Sequence, residues 1–450
     1  MDFKNRVKVM ALFAGDIVAL YLGLFATLIL RYGANFYALF VALHVLPFSI
    51  IFLFWIIIFY VAGLYDIRHL RNNLDFLKIF GLTLTVNAIV AVFFFYLIPA
   101  FGITPKTNLF VFIVIFAIIE FYWRRAFNRV ISHGEAPNKV LLIGSGRAAH
   151  ATQRSVIENP QLGYEIKAHL MEEEVYAEPK RLYDLSMQHH VNLVVVPREL
   201  KHDEKLNKAL YDLLGQGIEI RDVINFHELI MRKVPVSDLE ESWFLENLIN
   251  QQKFYDQLKR AWEFLAALAI GIVLLPVELL IALIVKLTSP GPVFIRQKRV
   301  GRLGATFTLY KFRSMVALSP EGLAETNGAQ WAARGDARVT PFGRFIRAAH
   351  LDELPQLMNI VRGDLSFVGP RPERPEFIQI LKEKIPYYEI RQLLKPGVTG
   401  WAQINYRYGA SIEDSQKKLE YDIYYIKNRS IMLDIAIILK TIKSLFVNQK

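Results

Sequence analysis

Apolar residues come in blocks along this chain. Four blocks occupy its first third, at residues 10–30, 46–64, 80–98 and 109–122. The first three reach the roughly 20 residues a helix needs to cross a bilayer, and the shorter fourth needs its flanking aromatics to span. Basic residues sort to alternate ends of the blocks. Lys4, Arg6 and Lys8 precede the first, Arg68, Arg71 and Lys78 separate the second from the third, and Arg124, Arg125 and Arg129 follow the fourth. The two remaining loops hold little beyond Arg31 and Lys106. Cytoplasmic loops carry the excess of Lys and Arg, so residues 1–130 are expected to form a four-helix transmembrane bundle with both ends in the cytoplasm. A cleavable signal peptide fits less well, because the first run is long and no small-residue cleavage site follows it.

The pattern then changes to short apolar runs. Residues 139–143 read as a buried strand, residues 144–149 (Gly-Ser-Gly-Arg-Ala-Ala) as a turn into a helix, and residues 191–196 and 218–220 as two further strands. This predicts a Rossmann-like cytoplasmic domain over 131–240, half of a dinucleotide-binding fold with Ala149 in place of the third glycine. Gly144 and Gly146 are candidate nucleotide-binding residues. A tight strand–helix junction needs glycines equally well without any ligand.

After a linker at 241–261, a fifth apolar block covers 262–287, with Pro276 near its middle. Both flanks are basic: Lys253, Lys259 and Arg260 before it, then Lys286, Arg296, Lys298, Arg299 and Arg302 after it. A crossing would put one basic flank outside. A re-entrant membrane hairpin bending at Pro276 keeps both inside, and that is the expectation, although Glu278 near the bend is costly in hydrocarbon. Residues 288–450 read as a small α/β domain. Its last segment, 431–447, interrupts apolar residues with Asp434, Lys440 and Lys443, which suits a helix lying on anionic lipid or one packed on its own domain.

Composition narrows the chemistry. At 450 residues there is room for two or three domains, and the absence of cysteine excludes disulfides, thiolate catalysis and cysteine metal sites. A net charge of +11 suits anionic lipid or phosphorylated small molecules. Nucleic acid is not expected, since the chain has no zinc-finger spacing, aromatic ribonucleoprotein motif or long basic tail.

The candidate chemistry lies between 289 and 403. Asp352 and Glu353 are adjacent in Leu351-Asp352-Glu353-Leu354-Pro355, and Pro355 predicts that they open a helix, near its positive dipole end. Arg371 follows, set between Pro370 and Pro372. Lys311 and Arg313 fall on one face of a short predicted strand, as a diphosphate clamp or a solvated basic edge.

These motifs are similar to those of the bacterial sugar transferase family: the Ser289–Phe294 turn, Arg299-Val300-Gly301, Lys311-Phe312-Arg313, the run from Leu351 to Leu357, Asn359, Gly363-Asp364, the run from Val368 to Glu373, and that from Lys395 to Ile404. The resemblance runs from Trp262 to the C-terminus in the family's order, and the upstream regions resemble the family's long form, a monotopic phosphoglycosyl transferase. It implies transfer of a hexose-1-phosphate from a UDP-hexose to polyprenyl (undecaprenyl) phosphate, as the first membrane step of exopolysaccharide, capsule or O-antigen synthesis. Asp352 would be the nucleophile that carries the phosphosugar, and Glu353 would bind Mg²⁺ or assist the lipid phosphate. Arg371 would hold phosphate, with Lys311, Arg313 and Arg347 as further phosphate contacts. Leu275 stands where the family commonly has Ser before its hairpin proline. The implied location is the inner cell membrane, multi-pass, with the soluble domains in the cytoplasm, membrane lipid as a partner and apolar bundle surface for a homodimer.

Two alternatives remain at this level. A membrane-bound nucleotide-sugar dehydratase or epimerase would use a Tyr-x-x-x-Lys couple, and Tyr255 and Lys259 have that spacing. A nucleotide-sensing membrane scaffold would use the glycine turn alone. Gln403 and Asn405 could touch nucleotide or sugar, or serve a turn. The identity of the sugar is not written in the chain.

Overall fold

The computed structural model describes residues 3–65, 74–98, 108–133, 137–248, 252–319, 338–406, 409 and 411–447. The chain divides into two compact units, Met1–Met231 and Arg232–Lys450.

Four long helices open the first unit, Phe3–Tyr32, Val45–Ala62, Leu74–Leu97 and Asn108–His133. They share an aromatic core in which Phe48, Phe52 and Trp55 meet Phe112 edge-on or tilted and Phe112 stacks with Phe116. Leu30, Leu46, Leu53 and Phe93 point outward, so the helices are apolar on both faces, as lipid-facing helices are. Among the described residues, three stretches are long and apolar enough to cross a membrane: Val7–Ala62, which contains two of the expected spans, Phe76–Tyr96, and Phe254–Thr288 in the second unit. The fourth expected span is not among them. Its helix, Asn108–His133, carries Glu120 and Arg124, both wholly buried. Arg124 donates to Glu120 at 2.6 Å and to the Leu64 carbonyl at 2.8 Å, and also pairs with Asp16. Arg124 is therefore a core cation and not a loop charge. Arg68, Arg71 and Lys106 lie outside the described residues.

The rest of the first unit is a parallel sheet in the order β2-β1-β3-β4, built from β1 (Asn138–Ile143), β2 (Tyr164–Leu170), β3 (Leu193–Val196) and β4 (Glu219–Asp222). Val140 and Leu142 of β1 enter one core with Leu193 and Val195, while Leu141 and Ile143 enter the other with Val194 and Val196. Both faces are covered, which is why these strands read as unbroken apolar runs. β2 escaped the sequence reading because Glu165, Lys167 and His169 interrupt its apolar residues.

Residues 232–248 belong to the second unit. Trp401 Nε1 donates to the Arg232 carbonyl at 2.9 Å, Val234 N to the Glu420 carbonyl at 3.0 Å, and Lys233 pairs with Glu420 at 2.6 Å. What sequence treats as domain tail and linker includes a helix, Glu241–Leu248, that buries Trp243 and Phe244.

The segment expected to form a hairpin, 262–287, lies within one helix whose two ends pack on the same unit. The helix Lys253–Thr288 runs unbroken through Pro276 for 36 residues, about 54 Å of rise if straight. Its two flanks are fastened to the same unit. Ala267 is buried with Leu309, Ile360 and Leu365, whereas Ile281 and Val285 are buried with Phe312 and Ile346. Between them Ile272, Val273, Leu275, Leu279 and Leu280 are more than half exposed. An antiparallel hairpin, β5 (Phe294–Val300) and β6 (Thr306–Phe312), follows the helix, and a short parallel pair, β7 (Ser366–Val368) and β8 (Gly397–Thr399), lies beyond.

Candidate active site

Asp352 and Glu353 lie in a single 3₁₀ turn, Leu351–Glu353, entered through His350 in the left-handed region at φ 54°. They precede the helix Gln356–Arg362 and do not form its first turn, because Pro355 sits at its N-cap. Asn359, fully buried in that helix, ties it to β6: its Nδ2 donates to the Thr308 carbonyl at 2.7 Å and its Oδ1 accepts from Tyr310 N at 3.2 Å. The carboxylates and Lys311 on β6 are thereby held at fixed separation.

Lys311 Nζ donates to Glu353 Oε1 at 2.5 Å, and Arg371 Nη2 stands 3.6 Å from the same oxygen. Burial alone would raise the Glu353 carboxyl, but Lys311 and Arg371 outweigh it and hold it down to about 2. Asp352 moves the other way. Burial lifts it above the ordinary aspartate value, with the Glu353 charge adding to the rise, against Lys311 and Arg347. Adjacent carboxyls pushed apart in this manner are suited to different tasks. The surroundings favour the ionised form of Glu353 and make Asp352 the more readily protonated of the two.

The loop after β7 is held almost entirely through its carbonyls, since Pro370 and Pro372 lack N–H groups. Lys259 Nζ donates to Val368 O at 2.8 Å, Gly397 N to Pro370 O at 2.9 Å, Arg391 Nη2 to Arg371 O at 3.0 Å and Arg299 Nη1 to Pro372 O at 3.0 Å. The crossing with β8 is tight: a Cβ at Gly397 would lie 2.1 Å from Gly369 N. Burial, reinforced by Arg371 and Arg374 and opposed by Glu373, brings Arg299 down to about 10. Arg299, Arg391 and Lys259 were missed as site-building residues, because their partners lie from 73 to 109 positions away or on another element.

Arg313 does not join Lys311. β6 ends at Phe312, so the alternation that aligned the two is broken there. The Arg313 guanidinium, 2% exposed, donates to the carbonyls of Pro290 (2.7 Å), Ser289 (2.6 Å) and Val285 (3.2 Å). Gly291, at φ 119°, leaves room for it, for a Cβ there would meet Arg313 Nη1 at 2.2 Å. Arg313→Met is expected to lower stability by about 2 kcal/mol or more, since each buried carbonyl left unpaired costs about 1–3 kcal/mol. Thermal unfolding in detergent measures this, and an unchanged midpoint combined with a raised donor KM would return Arg313 to the substrate.

The remaining candidates separate similarly. Gln403 donates to Val398 O at 3.0 Å and Asn405 to Trp401 O at 2.9 Å, so both serve local backbone. Tyr255 and Lys259 meet Asp434, at 2.7 and 2.9 Å, and not a nicotinamide pocket. In the first unit, the Gly144–Gly146 turn is closed by the protein's own carboxylate: Glu172 accepts from Ser145 N at 3.1 Å and from Ser145 Oγ at 2.5 Å.

For a divalent cation, the described residues hold no cluster of three His, Asp or Glu side chains. Mg²⁺ is commonly bound through one or two carboxylates plus substrate phosphate oxygens. Glu353, ionised and engaged through Oε1, fits that open kind of site.

A sequence model described as bacterial sugar transferase matches residues 254–448. The chain is 40% identical over 228 residues to the UDP-N-acetylgalactosamine-undecaprenyl-phosphate N-acetylgalactosaminephosphotransferase of Aeromonas hydrophila, covering 51% of this chain and 52% of that protein. It is 32% identical over 341 residues to the UDP-glucose:undecaprenyl-phosphate glucose-1-phosphate transferase of Escherichia coli (strain K12), covering 71% and 70%. With the protein of that same activity from Caulobacter vibrioides it shares 40% over 192 residues, 42% and 70% of the two chains. The match thus spans about half of the first relative and over two thirds of the other two. The chain belongs to the bacterial sugar transferase family.

Proposed function

We propose that this protein transfers a hexose-1-phosphate from a UDP-hexose to undecaprenyl phosphate through a covalent phosphosugar on Asp352. The observation that carries the reading is the adjacent carboxylate pair Asp352 and Glu353, with Lys311 2.5 Å and Arg371 3.6 Å from the Glu353 carboxylate. That pair sits in the unit that also bears the long exposed apolar helix. The relatives' names supply the substrate class.

In the first step an Asp352 carboxylate oxygen attacks the phosphorus attached to the sugar. The bond from that phosphorus to the bridging oxygen breaks, and UMP leaves with the electron pair. In the second step an oxygen of undecaprenyl phosphate attacks the same phosphorus, the bond to Asp352 breaks, and the carboxylate is restored. Lys311 and Arg371 face Glu353, where the diphosphate charge must be met, and Arg347 adds to the field at Asp352. Glu353 would hold Mg²⁺, which supplies charge neutralisation on the diphosphate. Splitting the transfer lets a soluble donor depart before the lipid acceptor reacts.

The same reading puts the enzyme in the inner membrane, multi-pass at residues 1–130, with its catalytic region 288–450 in the cytoplasm at the headgroup level and both flanks of 262–287 on that side. Its product would enter exopolysaccharide, capsule or O-antigen synthesis. The test is UMP release over a panel of UDP-sugars, with and without polyprenyl phosphate. Release dependent on no UDP-sugar, or keto-sugar formation with NAD, would overturn it.

A pH profile adds a second check. The acid limb of kcat/KM follows Asp352 ionisation and is expected above the ordinary aspartate value. Lys311→Met removes a cation that favours the ionised form, so the limb should move to higher pH. Movement downward, or none, would separate Lys311 from the reacting pair.

A further inference from the structure

Arg371 is 51% exposed on its side chain, yet its guanidinium is aimed at a half-buried carboxylate. An exposed arginine carries several rotatable bonds, so its aim depends on where its backbone is held. That backbone has proline on each side and cannot be tied through the neighbouring N–H groups. Its own carbonyl accepts from one side chain, Arg391 Nη2, at 3.0 Å.

Arg391 is 7% exposed and lies in the 3₁₀ turn Tyr388–Leu393. The nitrogen that grips Arg371 O also pairs with Asp422 Oδ2 at 2.9 Å, and Asp422 is 1% exposed on the helix Ile412–Asn428. The other nitrogen donates to Tyr388 Oη at 2.6 Å and faces Glu373 Oε1 at 3.8 Å. Burying such a pair is expensive, and well-packed apolar residues would often give equal or greater stability. What an apolar core cannot do is hold a carbonyl at a set place. A planar guanidinium joins a carboxylate and a carbonyl in fixed geometry, whereas an ammonium does not.

We propose that Arg391, braced by Asp422 and the Tyr388 hydroxyl, is a positioning residue that aims Arg371 at Glu353 by fixing Arg371's own carbonyl. Arg391 does not touch the reacting groups. The proposal rests on the role given above to Arg371 in meeting phosphate.

The test compares the full-length protein with Arg391→Lys, Arg371→Lys and the double variant, in donor-dependent UMP release. Arg391→Lys should lower kcat about tenfold with a smaller change in donor KM. On the Arg371→Lys background it should cost little further, because the group it aims has already been altered. Independent, multiplicative losses would overturn the proposal and leave Arg391 as a packing residue. Full activity in Arg371→Lys and Arg371→Ala would instead overturn the assignment of Arg371 itself. If Arg391→Lys yields no folded protein, Tyr388→Phe keeps both charges and decides the matter. A loss of about threefold that vanishes on the Arg371→Lys background supports the positioning role, and no loss or an equal loss on both backgrounds refutes it.

Discussion

Asp352→Asn should abolish transfer, by about 10³-fold or more, the scale on which loss of a covalent nucleophile is felt. The amide is close to isosteric, so the 3₁₀ turn and its neighbours need not move. It lacks the charge and basicity that burial confers on the native oxygen. Incubating the wild type with radiolabelled UDP-sugar, without acceptor, should label the protein at Asp352, and the variant should remain unlabelled. Full activity in Asp352→Asn would sink the mechanism, as would label mapping to another residue or a requirement for both substrates before any bond breaks.

Glu353→Gln should be the next most damaging change, with a loss of about 10²-fold, comparable to removing one group that meets developing charge. Its native charge is secured by Lys311 at 2.5 Å and by Arg371. Neutralising it weakens its hold on both cations and replaces the carboxylate assigned to Mg²⁺ by a neutral amide, a poorer ligand. The activity that remains should therefore depend more weakly on Mg²⁺ concentration. An impaired variant with the native metal dependence would take Glu353 out of the metal shell and leave it as a partner of Lys311. The group also affects stability. Its folded value lies below its ordinary one, so its contribution is present above pH about 4.5 and fades as pH falls toward 2.

Much of this site was legible from local pattern. Adjacent acids, a proline behind them and a proline-framed arginine suggested a phosphate centre, and the structure does bring Lys311 and Arg371 to Glu353. The failures have physical causes. The Lys311–Arg313 alternation assumed a strand that stops at Phe312, and one residue beyond its end Arg313 turns into the Ser289–Pro290 carbonyls. Charge counting put Arg124 in a loop because the sequence cannot tell that Asp16, 108 positions earlier, is its partner. Proline at 276 suggested a break, but at that position the chain remains helical. In the α/β region the apolar runs of β1 and β3 were visible, and the half-polar β2 was not.

The long proline-bearing helix has a practical corollary. Ala267 helps to fill the core beneath Leu309 and Ile360, and Val285 the one beneath Phe312 and Ile346. Excising the greasy segment to obtain a water-soluble catalytic fragment would hollow out two cores at once, at about 1.5–3 kcal/mol for each large side chain exposed. The apolar helix is thus also scaffolding, and a fragment trimmed of it is expected to lose its fold.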